Sequence, residues 1–293
     1  MPFHQLVIEL GCSDPGAAEH ACLALGAIAI SLSDGGNQPL LEPGPGETPL
    51  WSEVRLRALY AAEARPDLLA ATLAAVLGLP ARSISAEPVD HRAWEREWLV
   101  DFRPMRFGKR LWICPGGLAA PDPGAVVLML DPGLAFGTGT HATTAMCLEW
   151  LDSNELAGAR VLDYGCGSGI LALAALKLGA AAATALDIDP QALIATRDNA
   201  AKNGLEARLT IAHAEGAIVG PCDVVLANIL AEPLLRLAPA FSAFCRPGGS
   251  LLLSGLLESQ AAEVAAAYGP WFDVETAARR DAWAMLAGRR RAE

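Results

Sequence analysis

The feature that most limits the fold is the stretch "ARVLDYGCGSGILALAALKLG", Ala159 to Gly179. An apolar strand runs into a glycine turn, and the turn opens a helix that ends at a further glycine. Downstream the alternation continues. "AATALDID" reads as a strand, and "PQALIATRDNAAKNG" as a helix with Pro190 at its start and Gly204 at its end. "RLTIAH", "CDVVLANIL" and "GGSLLLSGL" read as strands, and "EPLLRLAPAFSAFC" and "ESQAAEVAAAYG" as helices. Upstream, "RLWICP" and "VVLMLDPG" read as strands and "THATTAMCLEWLD" as a helix; "DAWAMLAGR" reads as a final strand. Strands alternating with helices of this length predict an α/β doubly wound, Rossmann-like sheet that is mainly parallel.

The first ~90 residues follow another rhythm. "FHQLVIEL", "AIAISLSD", "WSEVRLRALY" and "RSISAEPV" read as strands. "DPGAAEHACLALG" and "PDLLAATLAAVLG" read as helices, the first capped by Asp14 and the second closed by Gly78. Val54, Leu56 and Ala58 alternate with Arg55 and Arg57, so one face of that strand is apolar. The order β-α-β-β-α-β predicts a small split βαβ, ferredoxin-like α+β domain over residues 1–88. It carries no motif of chemistry, which suits a recognition module. "DHRAWEREWLVDF" then predicts an amphipathic linker helix over 89–102, with Trp94 and Trp98 one turn apart. Residues 103–293 form the expected catalytic domain.

Bulk composition excludes several classes. At 53% hydrophobic residues the chain of 293 can bury a large core, so disorder is not expected. The net charge of −11 speaks against nucleic acid as a direct ligand, because phosphate contacts need clustered Lys and Arg. An acidic surface instead suits a basic protein or a cationic small molecule. Seven cysteines without a C-x-x-C predict reduced, buried thiols in a cytoplasmic protein and no metal site. "MPFHQLVIELG" lacks the basic start of a signal peptide, and no segment reads as a membrane span. Nothing in the sequence demands more than a monomer.

Three features fall at the carboxyl ends of successive predicted strands, where open α/β sheets bind ligands. The first is the turn Gly165, Gly167, Gly169, spaced G-x-G-x-G rather than G-x-G-x-x-G. That departure suggests a ligand without pyrophosphate. The second is Asp187, about 20 residues on, placed to accept both hydroxyls of a ribose. Asp189 competes, but it precedes Pro190 and reads as a helix N-cap. The third is Asn228, a polar residue straight after an apolar strand, suited to binding or positioning because an amide cannot shuttle protons. Cys166 has no identified base beside it, and His141 reads first as a structuring residue. The loop "LAFGTGTHATT" lacks the lysine that a nucleoside-triphosphate loop requires.

These residues resemble the class I S-adenosylmethionine-dependent methyltransferases. "RFGKRLWICP", "DPGLAFGTGTHATT", "LDYGCGSGILALAALKLGA", "DIDPQALIATRDNA" and "NILAEPL" resemble, more narrowly, the ribosomal protein L11 methyltransferase family. The resemblance implies S-adenosyl-L-methionine as cofactor. By motif it implies cofactor contacts at Thr144, Gly165, Asp187 and Asn228. Gly167 of the same turn is expected to join them, and Phe136 is read from its place in the loop as an apolar wall near the sulfonium. It also implies that the substrate is a large-subunit ribosomal protein, methylated on lysine side chains and the α-amine and held by the ferredoxin-like domain. Ala142 departs from the family, which often carries proline or glutamate there; the position reads as a solvent-exposed loop. Two rivals remain at this point: a methyltransferase with another acceptor, and a non-catalytic nucleoside-binding module. Glutamine- and adenine-directed relatives carry N-P-P-[YF] where this chain has Asn228, Ile229, Leu230 and Ala231.

Overall fold

The computed structural model describes residues 3–11, 13–36, 38, 50–89, 103–116, 118–130 and 141–292. The chain divides into two compact units, Met1–Glu97 and Trp98–Glu293. The predicted linker helix over 89–102 lies almost wholly outside the described residues.

The first unit contains β1 (Phe3–Gly11), α1 (Pro15–Ala24), β2 (Ala29–Asp34), β3 (Val54–Tyr60), α2 (Pro66–Leu77) and β4 (Ile84–Val89). Its strands form one sheet in the order β2-β3-β1-β4, with every neighbouring pair antiparallel. The period of two in β3 explains its placement: Val54, Leu56, Ala58 and Tyr60 are buried while Arg55 and Arg57 stay half-exposed. Asp14 caps α1 by accepting from the Gly16 N–H at 3.0 Å. Gly78 ends α2 in the left-handed region at φ 66°.

The second unit begins with a three-stranded sheet of β5 (Met105–Phe107), β6 (Leu111–Cys114) and β7 (Val126–Met129), in that order. The turn between β5 and β6 is fixed by a carboxylate. Buried Asp152 accepts from the backbone N–H of Lys109 at 2.5 Å and from that of Arg110 at 3.3 Å. Asp152 lies on α3 (Ala142–Ser153), whose N-cap is His141.

The main sheet uses β8 (Arg160–Tyr164), β9 (Ala182–Asp187), β10 (Leu209–His213), β11 (Cys222–Asn228), β12 (Cys245–Leu257), β13 (Phe272–Arg280) and β14 (Trp283–Arg290). Their order is β10-β9-β8-β11-β12-β14-β13. The first five are parallel, and β14 and β13 join antiparallel. The chain steps outward from β8 to β9 and β10, then returns to the other side of β8 for β11 and β12. The order therefore reverses between β8 and β11, and a crevice opens at such a switch point.

Helices α4 (Ile170–Lys177), α5 (Pro190–Asn203), α6 (Ala231–Phe244) and α7 (Ala261–Tyr268) connect the strands. Residues of α3 and α4 join Val224, Leu226 and Met285 in one core. Phe241 of α6 and Tyr268 of α7 join Val225, Ala227 and Leu286 in the other. Successive residues of β11 thus point to opposite faces, as a pleated strand buried on both sides requires. Among the described residues no helix is long and apolar enough to cross a membrane.

Candidate active site

The glycine turn closes β8 and starts α4. Gly165, Gly167 and Gly169 have φ of 79°, 54° and 79°, conformations that L side chains rarely adopt. At Gly165 there is a second constraint: a Cβ would collide with Cγ2 of Ile229. The turn is held from two sides. The N–H groups of Gly165 and Cys166 donate to Leu186 O on β9 at 2.7 and 3.0 Å. From α5, the Thr196 hydroxyl donates to Gly167 O and the Asn199 amide to Ser168 O, each at 3.0 Å. Both side chains are buried. Neither was expected from the sequence, although polar residues three apart on one side of an amphipathic helix were the available signal.

Asp187 ends β9 and reaches the same turn. Its Oδ2 accepts from the Gly167 N–H at 2.8 Å, and its Oδ1 from the Asp189 N–H at 3.0 Å. A carboxylate offers about four lone-pair sites, so two remain for hydroxyl donors. Asp189 is the N-cap of α5, accepting from the Gln191 N–H at 2.8 Å. His213, paired with Asp187 across the sheet, places Nε2 3.1 Å from Ile188 O while its Nδ1 accepts from the Glu215 N–H. This imidazole steadies the residue after the acid, a role that no motif marked.

Asn228 ends β11, and its Nδ2 donates to Thr144 Oγ1 at 3.2 Å. Thr144 is buried in the first turn of α3. The neighbouring strand supports the same turn, with Ser254 Oγ donating to Thr143 O at 3.3 Å. His141 Nδ1 lies 2.7 Å from the Thr143 hydroxyl and 3.4 Å from its amide nitrogen, which suits an accepting Nδ1 on a capping ring. Ala142 is corrected here: it is the half-buried first residue of α3, not an exposed loop position. Phe136 lies outside the described residues.

Asp163, one residue before Tyr164 at the end of β8, was missed as a site residue, though an acid in an apolar strand was visible. It is 1% exposed. Its Oδ2 accepts from the Ala172 N–H at 3.0 Å, and its Oδ1 has no partner. Burial pushes its pKa up to about 7, against the opposing pull of the Ala172 N–H, and the nearby Asp187 charge adds to the rise. A buried carboxylate with an orphan oxygen beside a glycine turn is suited to a cationic ligand group. Cys166 is no nucleophile: burial, then the Asp163 charge, push its thiol far above the usual range. Among the described residues no cluster of His, Cys, Asp and Glu could hold a metal.

A switch-point crevice with a glycine turn at positive φ, an acid on the next strand with lone pairs to spare and a buried acid with an unpartnered oxygen suits an adenosyl group bearing an amino acid. This fold and site define a class I S-adenosylmethionine-dependent methyltransferase. The family model described as Ribosomal protein L11 methyltransferase (PrmA) matches residues 2–291. A Pseudomonas aeruginosa ribosomal protein L11 methyltransferase is 51% identical over 294 residues, covering 100% of both chains. One from Azotobacter vinelandii is 50% identical over 99% of this chain and 100% of its own. The solved ribosomal protein L11 methylase of Lactobacillus delbrueckii subsp. bulgaricus superposes with a TM-score of 0.60 at 31% identity, covering 65% of this chain and 100% of its own. The chain belongs to the ribosomal protein L11 methyltransferase family.

Proposed function

We propose that this enzyme transfers methyl groups from S-adenosyl-L-methionine to lysine side-chain amines and the N-terminal α-amine of ribosomal protein L11. The observation that carries this reading is the convergence of the glycine turn, Asp187 and the Asn228–Thr144 pair in a chain whose family membership spans its length. S-Adenosylmethionine supplies a methyl carbon already activated by its sulfonium. Everything else falls to the chain.

Asp187 accepts from the ribose hydroxyls with the lone pairs that Gly167 and Asp189 leave free. Asp163 faces the amino-acid end, where its orphan Oδ1 accepts from the ammonium. Gly165 and Gly167 bring backbone against the ligand because they carry no side chain. Asn228 has its Nδ2 committed to Thr144, so its Oδ1 is the atom left to accept from the incoming amine. Such alignment is worth roughly 7–11 kcal/mol of barrier. The amine nitrogen bonds to the methyl carbon as the carbon–sulfur bond breaks, and the sulfonium leaves as a neutral thioether. The acceptor must arrive neutral; a lysine near pKa ~10.4 gives its proton to water on losing hydration in the crevice.

The remaining expectations fit this reading. The antiparallel β-α-β-β-α-β unit within residues 1–88 has the order of a ferredoxin-like domain and serves to hold the substrate. Residues 89–102 join it to the catalytic domain of 103–293. The net charge of −11 favours a basic protein partner over nucleic acid. We place the enzyme in the cytoplasm as a monomer, away from membranes. The test is transfer of labelled methyl groups to purified L11, resolved by mass. Stepwise gains of one methyl mass are expected, and label appearing only on other proteins or small molecules would overturn the substrate.

A further inference from the structure

Three neighbouring strands run beneath the opening of α3, and each addresses a different residue there. Asn228 of β11 bonds Thr144, and Ser254 of β12 bonds Thr143 O. Trp283, the first residue of β14, completes the row. Its ring lies 5.0 Å from that of His141 with an interplanar angle of 71°. The pleat puts Trp283 on the same face as Asn228. Met285 of β14 and Leu226 of β11 share the core beneath α3, and Trp283 and Asn228 each stand two residues from one of them. Ala284 and Leu286 point into the opposite core. In the order β11-β12-β14, Trp283 stands two strands from Asn228, about 10 Å across the sheet at the usual strand spacing. It also stands farther toward the carboxyl edge, because Asn228 pairs with Ser254 and Trp283 with Leu257.

Trp283 is only half-buried, and the row it completes lies on the Asn228 side of the crevice, away from Asp187 beyond β8. The geometry points to Trp283 as the acceptor-side wall of the site, a specificity residue that retains partly methylated amines between transfers. This rests on the amine-methylating reading above. Each methyl group makes the acceptor's ammonium form less well hydrated and more easily held over an aromatic face, and tryptophan offers the strongest such face. An acceptor that is held rather than released returns for the next methyl group.

Two measurements decide this. In the first, full-length wild type, Trp283→Phe and Trp283→Leu react with S-adenosylmethionine and purified L11, and products are resolved by mass at low conversion. Trp283→Leu is expected to lower the ratio of trimethylated to monomethylated sites at least about fivefold, with Trp283→Phe recovering most of it. Equal ratios in wild type and Trp283→Leu overturn the inference, and so does a Phe variant as deficient as the Leu one. In the second, each protein saturated with S-adenosylhomocysteine is titrated with a peptide carrying trimethyl-lysine or unmodified lysine. Calorimetric uptake of S-adenosylhomocysteine shows which variants are folded. Wild type is expected to favour the methylated peptide about tenfold, and Trp283→Leu to lose that preference. The absence of a preference in wild type overturns the inference even where L11 proves not to be the acceptor, and its presence upholds it there.

Discussion

Ile229 lies directly against Gly165: its Cγ2 occupies the place where a side chain at that glycine would begin. On its other side the Ile229 backbone presses on Gly255, where a Cβ would sit 2.5 Å from Ile229 O and 2.9 Å from its nitrogen. The residue after Asn228 is therefore gripped between the glycine turn and β12. Gly165→Ala combines this collision with a left-handed φ of 79°, itself costing roughly 1–2 kcal/mol. The expected outcome is a melting temperature lower by about 4–8 °C and loss of cofactor uptake. In a double-mutant cycle, Gly165→Ala with Ile229→Ala should lose less than the sum of the two single changes. Strict additivity in calorimetry would show that the contact carries no energy.

Removing the Asp187 carboxylate takes away the acceptor proposed above for the ribose hydroxyls and unties Gly167 at once. Hydrogen bonds to charged groups are worth about 1.5–3 kcal/mol, so Asp187→Ala should weaken S-adenosylmethionine binding by about 10- to 100-fold. Asp187→Asn keeps one acceptor oxygen and should fall between. Isothermal titration of the three proteins checks the order.

Asn228 and Thr144 form one device, so their variants should not add. Asn228→Ala and Thr144→Val are each expected to lower kcat/KM for L11 by about tenfold or more, the scale of one lost buried hydrogen bond. The double variant should lose little beyond the worse single one. Independent, multiplying losses in steady-state kinetics would mean that the two residues act separately.

Asp163 makes a prediction in pH. Its pKa rises from 3.8 to about 7 on folding. Between those values the unfolded chain has released the proton and the folded one still holds it, so this group's contribution to stability falls as pH rises through about 3.8 to 7. Asp163→Asn should therefore melt higher than wild type at pH 8 and lose that advantage near pH 4. Cofactor binding should move the other way in wild type, tightening as pH rises from about 5.5 to 7.5 because the ionised carboxylate meets the ammonium. In Asp163→Asn both pH dependences should flatten. A variant less stable than wild type at pH 8 would contradict the account.

Much of this arrangement is written in local sequence. Helix α5 runs Pro190–Asn203 with Gly204 at φ 65°, where proline and glycine had marked its limits, and Asp189 caps it as its position before proline implied. Strands β8, β9 and β11 stand where continuous apolar runs predicted buried parallel strands. Strand β13 was not expected, because "FDVETAARR" alternates weakly and its pairing partner, β14, supplies what the pattern lacks. β5 escaped notice for a similar reason, since three residues are too few to show a period. β12 is longer than its apolar centre suggested, beginning at Cys245, which pairs with Cys222 of β11. Among the candidate site residues, Gly165, Asp187 and Asn228 could be singled out in the sequence because each lies at the end of an apolar strand. Thr196 and Asn199 stand three apart on one helix, a spacing that marks a shared polar face but not the distant backbone that it meets, and His213 had no such signal.

The clamp on Ile229 also limits how this scaffold can be redesigned. Exchanging the Asn-Ile-Leu stretch alone, to admit a different acceptor, would insert new bulk into a slot sized by two absent side chains. A successful redesign has to revise positions 165, 229 and 255 in concert, and a library that randomises only the acceptor loop should return mostly the parental isoleucine or something smaller.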